Sequence, residues 1–323
     1  MRIQAVIDRD HGLPGNQVHR LAMDANRRLW LAGSSGLYRF DGSRVRAFDR
    51  RDGLRCAGLR TVAIGADDSV WIGTDLGLEA FDGQMRPRPG LAAFDARFGL
   101  VSAIVPDPAE VWLATARGLV QILDPVRSPR LGQHIEVGYV RELIRLDRQR
   151  LLALCEQRGL VVLEGGVCRT LALPPGVAAA SIRRVAVVAD QRLVLGCDRS
   201  LWLIAADQGT PLASLDLPAG AELGALAVRG RQLWVGRGRE LMCVDLAPAA
   251  GAGLKLRSCT PADGVVTDLL LDAADNVWVA TDTAGVGRLS GLRVGLQRSL
   301  VQEPVYAVLS FGAGRLADRK SVV

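Results

Sequence analysis

The chain has 323 residues, 49% hydrophobic and 23% charged, a balance that supports a large buried core and excludes a disordered chain. Its net charge of +6 is almost wholly arginine, since Lys255 and Lys320 are the only lysines. The arginines are scattered, aromatics make up 5%, and no apolar run reaches the roughly 18 residues of a membrane span, so neither a nucleic-acid partner nor a membrane segment is expected.

The chain opens on RIQAVIDRDHGL (2–13), without the apolar stretch of an export leader. A cytoplasmic location is therefore expected, or a periplasmic one if the true start lies upstream. This opening resembles RVRAFDRRDGL (44–54), and Gly12-Leu13 lies 41 residues before Gly53-Leu54. It thus reads as an outermost strand that precedes the first innermost one. VHRLAMD (18–24) follows as an alternating apolar run, and DANRR (24–28) is a turn. LWLAG (29–33) is a second strand and GLYRFDG (36–42) a third, its Asp-Gly closing a hairpin onto RVRAFD (44–49).

The same sentence then recurs. Trp30 is followed at intervals of 41 by Trp71 and Trp112. Two further steps of 41 reach Ala153 and Val194, and Trp234 and Trp278 follow at 40 and 44. Five of the six tryptophans occupy this one position. Units of about 41 residues with four short strands, and no stretch of helical period, specify an all-β fold: a seven-bladed β-propeller with four-stranded antiparallel blades. A flat tryptophan on the second strand fills the wedge between blades. The small residues after it (Gly33, Gly73, Ala114) are expected to let the chain turn closely. Ala153 and Val194 in the tryptophan slot predict thinner packing in blades 4 and 5.

Two segments compete to complete the last blade: the opening strand, residues 2–8, and LRVGLQRS, residues 292–299. Closure by the opening strand is expected, because it is otherwise an unpaired edge. EPVYAVLSFGAGRL (303–316) reads as the start of an eighth unit, so residues 1–317 form one propeller domain that stops in mid-repeat. The last six residues, DRKSVV (318–323), match the translation of a common sequencing adapter and read as a non-native tail.

GLPGNQVHRLAMDANRRLWLAGSSGLYRFDG (12–42) resembles the two-component regulator propeller repeat, whose pattern runs GLPxNxVxxIxxDxxGxLWIGTxxGLxRFDG. The match is near complete there, good in 53–83 and partial in the third and seventh units. The resemblance implies a sensor propeller that binds a ligand and sits N-terminal to a signalling output such as a histidine kinase or a cyclase.

The chemistry is sparse. None of the six cysteines forms a CxxC pair, and those inside strand-like runs read as buried thiols, which favours a reducing compartment. His11, His19 and His134 stand at no metal-ligand spacing, and acid pairs such as Asp67-Asp68 read as turn caps. No catalytic residue, metal site or cofactor is expected. A binding site follows only from architecture, on the rim shared by the loops entering the first strands and those joining second to third. The polar groups converging there are Asn16, Gln17, Ser35, Arg60, Asp75, Arg117 and Arg158. Their arginines favour an anionic small molecule, with a protein ligand as the other option. A ligand-binding sensor with its output domain beyond the fragment is the leading reading. A protein-interaction scaffold and a propeller lyase or lactonase are the alternatives.

Overall fold

The computed structural model describes residues 3–88, 90–91, 99–188, 191–218, 220–246, 253–290, 308–311 and 315–318. Seven antiparallel sheets stand around one axis. Their innermost strands are Val18–Met23, Leu59–Ile64, Val101–Pro106, Val140–Arg145, Ile182–Val188, Leu223–Arg229 and Val266–Leu271. Each pairs with a second strand: Leu29–Gly33, Val70–Thr74, Glu110–Thr115, Arg150–Cys155, Arg192–Cys197, Gln232–Arg237 and Val277–Thr281. Among the described residues six sheets have four strands, and blade 2 has three, plus a bridge from Phe81 to Pro87. Helix among the described residues is limited to short 3-10 turns at Arg9–His11, Arg50–Asp52 and Ala179–Ser181.

The opening strand closes the ring. Gln4–Ile7 runs antiparallel to Val286–Leu289 as the outermost strand of blade 7, with Gln4 opposite Arg288. Ile7 is fully buried there. The competing segment, 292–299, lies outside the described residues. Val308–Phe311 and Arg315–Asp318 form a separate two-stranded hairpin.

The tryptophans explain the repeat. Trp30, Trp71, Trp112, Trp234 and Trp278 are at most 6% exposed, and each enters the apolar layer between its own blade and the next. Replacing such a ring with alanine typically costs about 3–5 kcal/mol. Most of the indole N–H groups are satisfied from the turn before the strand: Trp30 donates to Asp24, Trp71 to Ser69, Trp112 to Glu110 and Trp278 to Asp272. Asp24 also accepts the backbone N–H groups of Asn26 and Arg28, so one carboxylate organises turn and core together.

Blade 4 corrects the frame read from sequence. Leu152, not Ala153, occupies the tryptophan slot: it stands opposite Ile144, as Trp30 stands opposite Ala22, and it faces blade 5. Ala153 faces back toward blade 3. The slot thus falls 40 residues after Trp112 and 42 before Val194, and the turn after the second strand, three residues (156–158) here against two (116–117) in blade 3, supplies the extra residue that restores the frame. Packing at the 4–5 seam is restored by the sixth tryptophan, Trp202, on the third strand of blade 5. Val194 does hold the slot in blade 5, facing blade 6 among Leu201, Leu203 and Met242.

The small residues after the tryptophan also have a different cause. Ala32, Gly73, Ala114, Gly196, Gly236 and Ala280 share one register position. There the blades taper toward the axis: a Cβ on Gly73 would come within 2.5 Å of the Val101 carbonyl, and one on Gly236 within 2.3 Å of the Val266 side chain. Smallness serves the approach of the next blade rather than a turn. Blade 4 alone places a large residue at this position, Leu154, which is 1% exposed and packs toward blade 5.

Candidate functional site at the channel mouth

Every innermost strand carries a register shift after its first residue. The residues so bulged are His19, Arg60, Ser102, Arg141, Arg183, Gly224 and Thr267, which ring one mouth of the channel. A bulge re-aims a side chain out of the ladder. Three of them reach the first residue of the next blade's innermost strand. His19 Nδ1–H donates to the Leu59 carbonyl at 2.7 Å, Ser102 Oγ–H donates to that of Val140, and Thr267 Oγ1–H donates to that of Val18. Gly224 is the exception with a reason, since a Cβ there would lie 1.9 Å from the Val266 carbonyl oxygen.

The bulged arginines pair within their own blades, each with an acid 15 residues on. Arg60 grips Asp75 through Nε at 2.7 Å and Nη2 at 3.2 Å. Arg141 reaches Glu156 at 3.3 Å, and Arg183 grips Asp198 at 2.6 and 3.3 Å. The Asp75 carboxylate, directly bonded, lifts the Arg60 guanidinium above its usual range despite some burial. Arg60 and Asp75 therefore satisfy each other.

The other sequence-predicted residues lie at this same end of the ring, three on blade 1 and one each on blades 3 and 4. The Asn16 carbonyl accepts the N–H of Gly285 at 3.0 Å, tying blade 1 to the turn of blade 7. Gln17 Oε1 accepts Ser34 Oγ–H at 2.7 Å. Ser35 stands against Gly15, where a Cβ would come within 2.4 Å of its Oγ. These three knit the loop of blade 1. Arg117 and Arg158, on the turns of blades 3 and 4, are exposed and make no ion pair among the described residues.

One position deeper, the channel is crossed by charges that the sequence reading did not single out. Arg20, Glu142, Arg184 and Asp268 come from blades 1, 4, 5 and 7. Arg20 lies 3.3 Å from Asp268 and 3.6 Å from Glu142, and Arg184 lies 3.3 Å from Glu142. Each carboxylate also accepts a backbone N–H of the adjoining blade: Glu142 from Val185 at 2.9 Å and Asp268 from Leu21 at 2.8 Å. Arg184 Nε donates to the Gly224 carbonyl at 2.7 Å. Burial weighs against the charged form of both arginines. For Arg20 the two carboxylates outweigh it, and the group titrates above its usual range. For Arg184 burial prevails, and the group titrates below. Two cations and two anions make a neutral plug that staples blades 4 to 5, 5 to 6 and 7 to 1. Blade 4 needs that staple, because Leu154 holds its neighbour away at this level. Among the described residues no group of three or more His, Cys, Asp or Glu side chains is placed to hold a metal ion. No helix among them is long and apolar enough to cross a membrane.

A seven-bladed propeller, clasped by its N-terminal strand, with a ring of bulged side chains at one mouth and a charged plug beneath, is the class these features define. The solved structures that share the propeller fold include the extracellular domain assigned to the hybrid two-component system BT4673 of B. thetaiotaomicron. That domain aligns with 90% of this chain and 42% of its own, at 16% identity and a TM-score of 0.72. The corresponding domain of BT3049 from the same organism covers 98% of this chain and 46% of its own, at 17% identity and a TM-score of 0.68. This chain thus spans less than half the length of either. A streptogramin B lyase has the same fold over 86% of this chain and 95% of its own, at 12% identity and a TM-score of 0.67. At these identities the likeness is one of fold. No protein-family model matches the sequence, and no curated protein matches it.

Proposed function

We propose that this propeller is the ligand-binding input module of a bacterial signal-transduction protein, acting on an output domain C-terminal to it. The observation that carries the reading is the mouth. Its walls are knit from blade to blade, its floor is a neutral plug, and exposed arginines with no ion pair among the described residues stand on its rim. The ligand site is the turn face around Arg117 and Arg158 rather than Arg60, whose donors Asp75 already takes. The repeat resemblance and the fold shared with extracellular domains of two hybrid two-component systems support the signalling role. The same likeness supports a periplasmic or extracellular address and lends nothing to the cytoplasmic one.

Two measurements test this. Reading the gene past codon 317 should reveal a kinase, cyclase or phosphatase domain, whereas a stop codon or further repeats would move the weight to a scaffold. A thermal-shift screen of small anions should find a ligand whose effect is lost in the Arg117→Ala/Arg158→Ala double variant. An unchanged response would refute this placement.

A further inference from the structure

The last residue of the second strand is small in six blades: Gly33, Thr74, Thr115, Cys155, Cys197 and Thr281. The three threonines there fold back to donate to a nearby glycine carbonyl, those of Gly77, Gly118 and Gly285. Blade 6 places Arg237 in this slot. Its side chain is driven inward until the residue is only 4% exposed. The Nε and Nη2 groups are fully shielded and meet no acceptor, and no carboxylate among the described residues pairs with the charge. Taking a guanidinium out of water without a partner costs several kcal/mol, so a residue that breaks its own repeat at that cost needs a compensating role.

Beside it is a cavity of about 320 Å³ between blades 5 and 6. Arg237, Arg183 and Arg199 line it, with Gly220 as one wall. Arg183 is held by Asp198 at 2.6 Å and lies 3.7 Å from Glu222, so the acids of the cavity are engaged. Arg199 is exposed and makes no ion pair among the described residues. Three arginines and two acids line the cavity, which leaves it a net charge of +1. Gly220 keeps it open next to the guanidinium, since a Cβ there would already lie 3.6 Å from Nη1. Gly238, at φ +51°, lets the 220–222 loop lie against the chain just after Arg237.

We infer that this cavity is an anion-binding site for a small molecule carrying a carboxylate or phosphate group, with Arg237 as its buried anchor and Arg199 as its second cation. An anion drawn to Nη1, the one guanidinium nitrogen that is not shielded, balances the buried charge while Nε and Nη2 stay enclosed. The site deepens the ligand-binding reading and relies on it, but it occupies a different sector of the rim from Arg117 and Arg158.

The test is a thermal-shift and calorimetric titration of the whole chain with succinate and with inorganic phosphate, ionic strength held constant with sodium chloride. Saturable binding of either anion is expected, weakened about tenfold or more by Arg237→Met. Without the anion, Arg237→Met should melt higher than the parent, because a buried unpaired charge is replaced by an apolar chain of similar length. A structural arginine would give the opposite sign. Gly220→Leu, which fills the cavity without touching the core, should abolish binding and leave the fold intact. No saturable binding, or binding that survives both substitutions, overturns the site. If binding survives Arg237→Met but is lost in Arg117→Ala/Arg158→Ala, this site falls while the sensor reading stands. If Arg237 governs binding but no output domain follows codon 317, the site stands and the sensor reading falls.

Discussion

Removing the Glu142 carboxylate tests whether the channel plug holds the ring or merely fills it. In Glu142→Ala the Arg184 guanidinium loses the carboxylate 3.3 Å away, Arg20 loses one of its two, and the Val185 N–H loses its acceptor. Breaking a buried pair from one side costs about 3–5 kcal/mol, of which a stranded amide accounts for about 1–3. The side chains of the plug are 10–23% exposed, so water relieves part of the loss and the expectation is about 3 kcal/mol. Urea denaturation followed by tryptophan fluorescence reads this directly, since five of the indoles sit in the seams between blades. With a slope near 3 kcal/mol/M, the midpoint should fall by roughly 1 M. Adding Arg184→Met should recover part of the loss, because the stranded cation is then gone. A single-variant cost below about 1 kcal/mol, or effects that add within about 0.5 kcal/mol, would refute the plug as a staple.

Four other outcomes follow from the geometry. Burial pushes the Asp24 and Asp272 carboxyls up. Indole, backbone and side-chain donors outweigh it, and both titrate below their usual range. Since the unfolded value is about 3.9, their contribution is complete above about pH 5 and is lost as pH falls through the lowered folded values. Stability measured from pH 6 to 2.5 should therefore fall on acidification, with a flatter acid limb in Asp24→Asn; a rise would contradict the assignment. Burial pushes the Cys155 thiol up to about 12, so in native protein at pH 8 Ellman's reagent should reach exposed Cys259 first and Cys155 only on unfolding. Gly224→Ala should cost about 3 kcal/mol in chemical denaturation, since its Cβ meets the Val266 carbonyl; a neutral substitution would mean the seam can shift. Deleting residues 2–8 should leave Val286–Leu289 as a bare edge and produce concentration-dependent aggregate on a sizing column, where the parent runs as a single species.

Much of the architecture was legible because a rare residue marked it. Five tryptophans at one position set the blade count, and the likeness of 2–13 to 44–54 indicated the clasp. The count slipped by one at Ala153 because the chain is one residue short between Trp112 and Leu152, and the longer turn at 156–158 makes it up after the slot, so that Val194 falls back into step. The reason for the small residues was hidden for another cause: a turn and a close approach both select glycine, and only the neighbouring strand tells them apart. At the mouth, the Arg60–Asp75 pair had a signal in the 15-residue spacing repeated by Arg141–Glu156 and Arg183–Asp198. The plug had almost none, because Arg20, Glu142, Arg184 and Asp268 each look like the solvated side of an alternating strand until the ring turns that side to the axis. Arg237 did announce itself, as LWVGR among VWIGT, VWLAT and VWVAT, but as an oddity of one blade rather than as a pocket.

The clasp sets a timetable for synthesis. Gln4–Ile7 is made before every other strand of the ring, yet its partner, Val286–Leu289, is made some 280 residues later. At about 5–20 residues per second, the interval is roughly 15–60 s. Throughout it the first strand has no sheet to join, and every completed blade leaves a raw face waiting for the next. The ring is thus finished only once Val286–Leu289 has been made, by the strand of the ring that has waited longest.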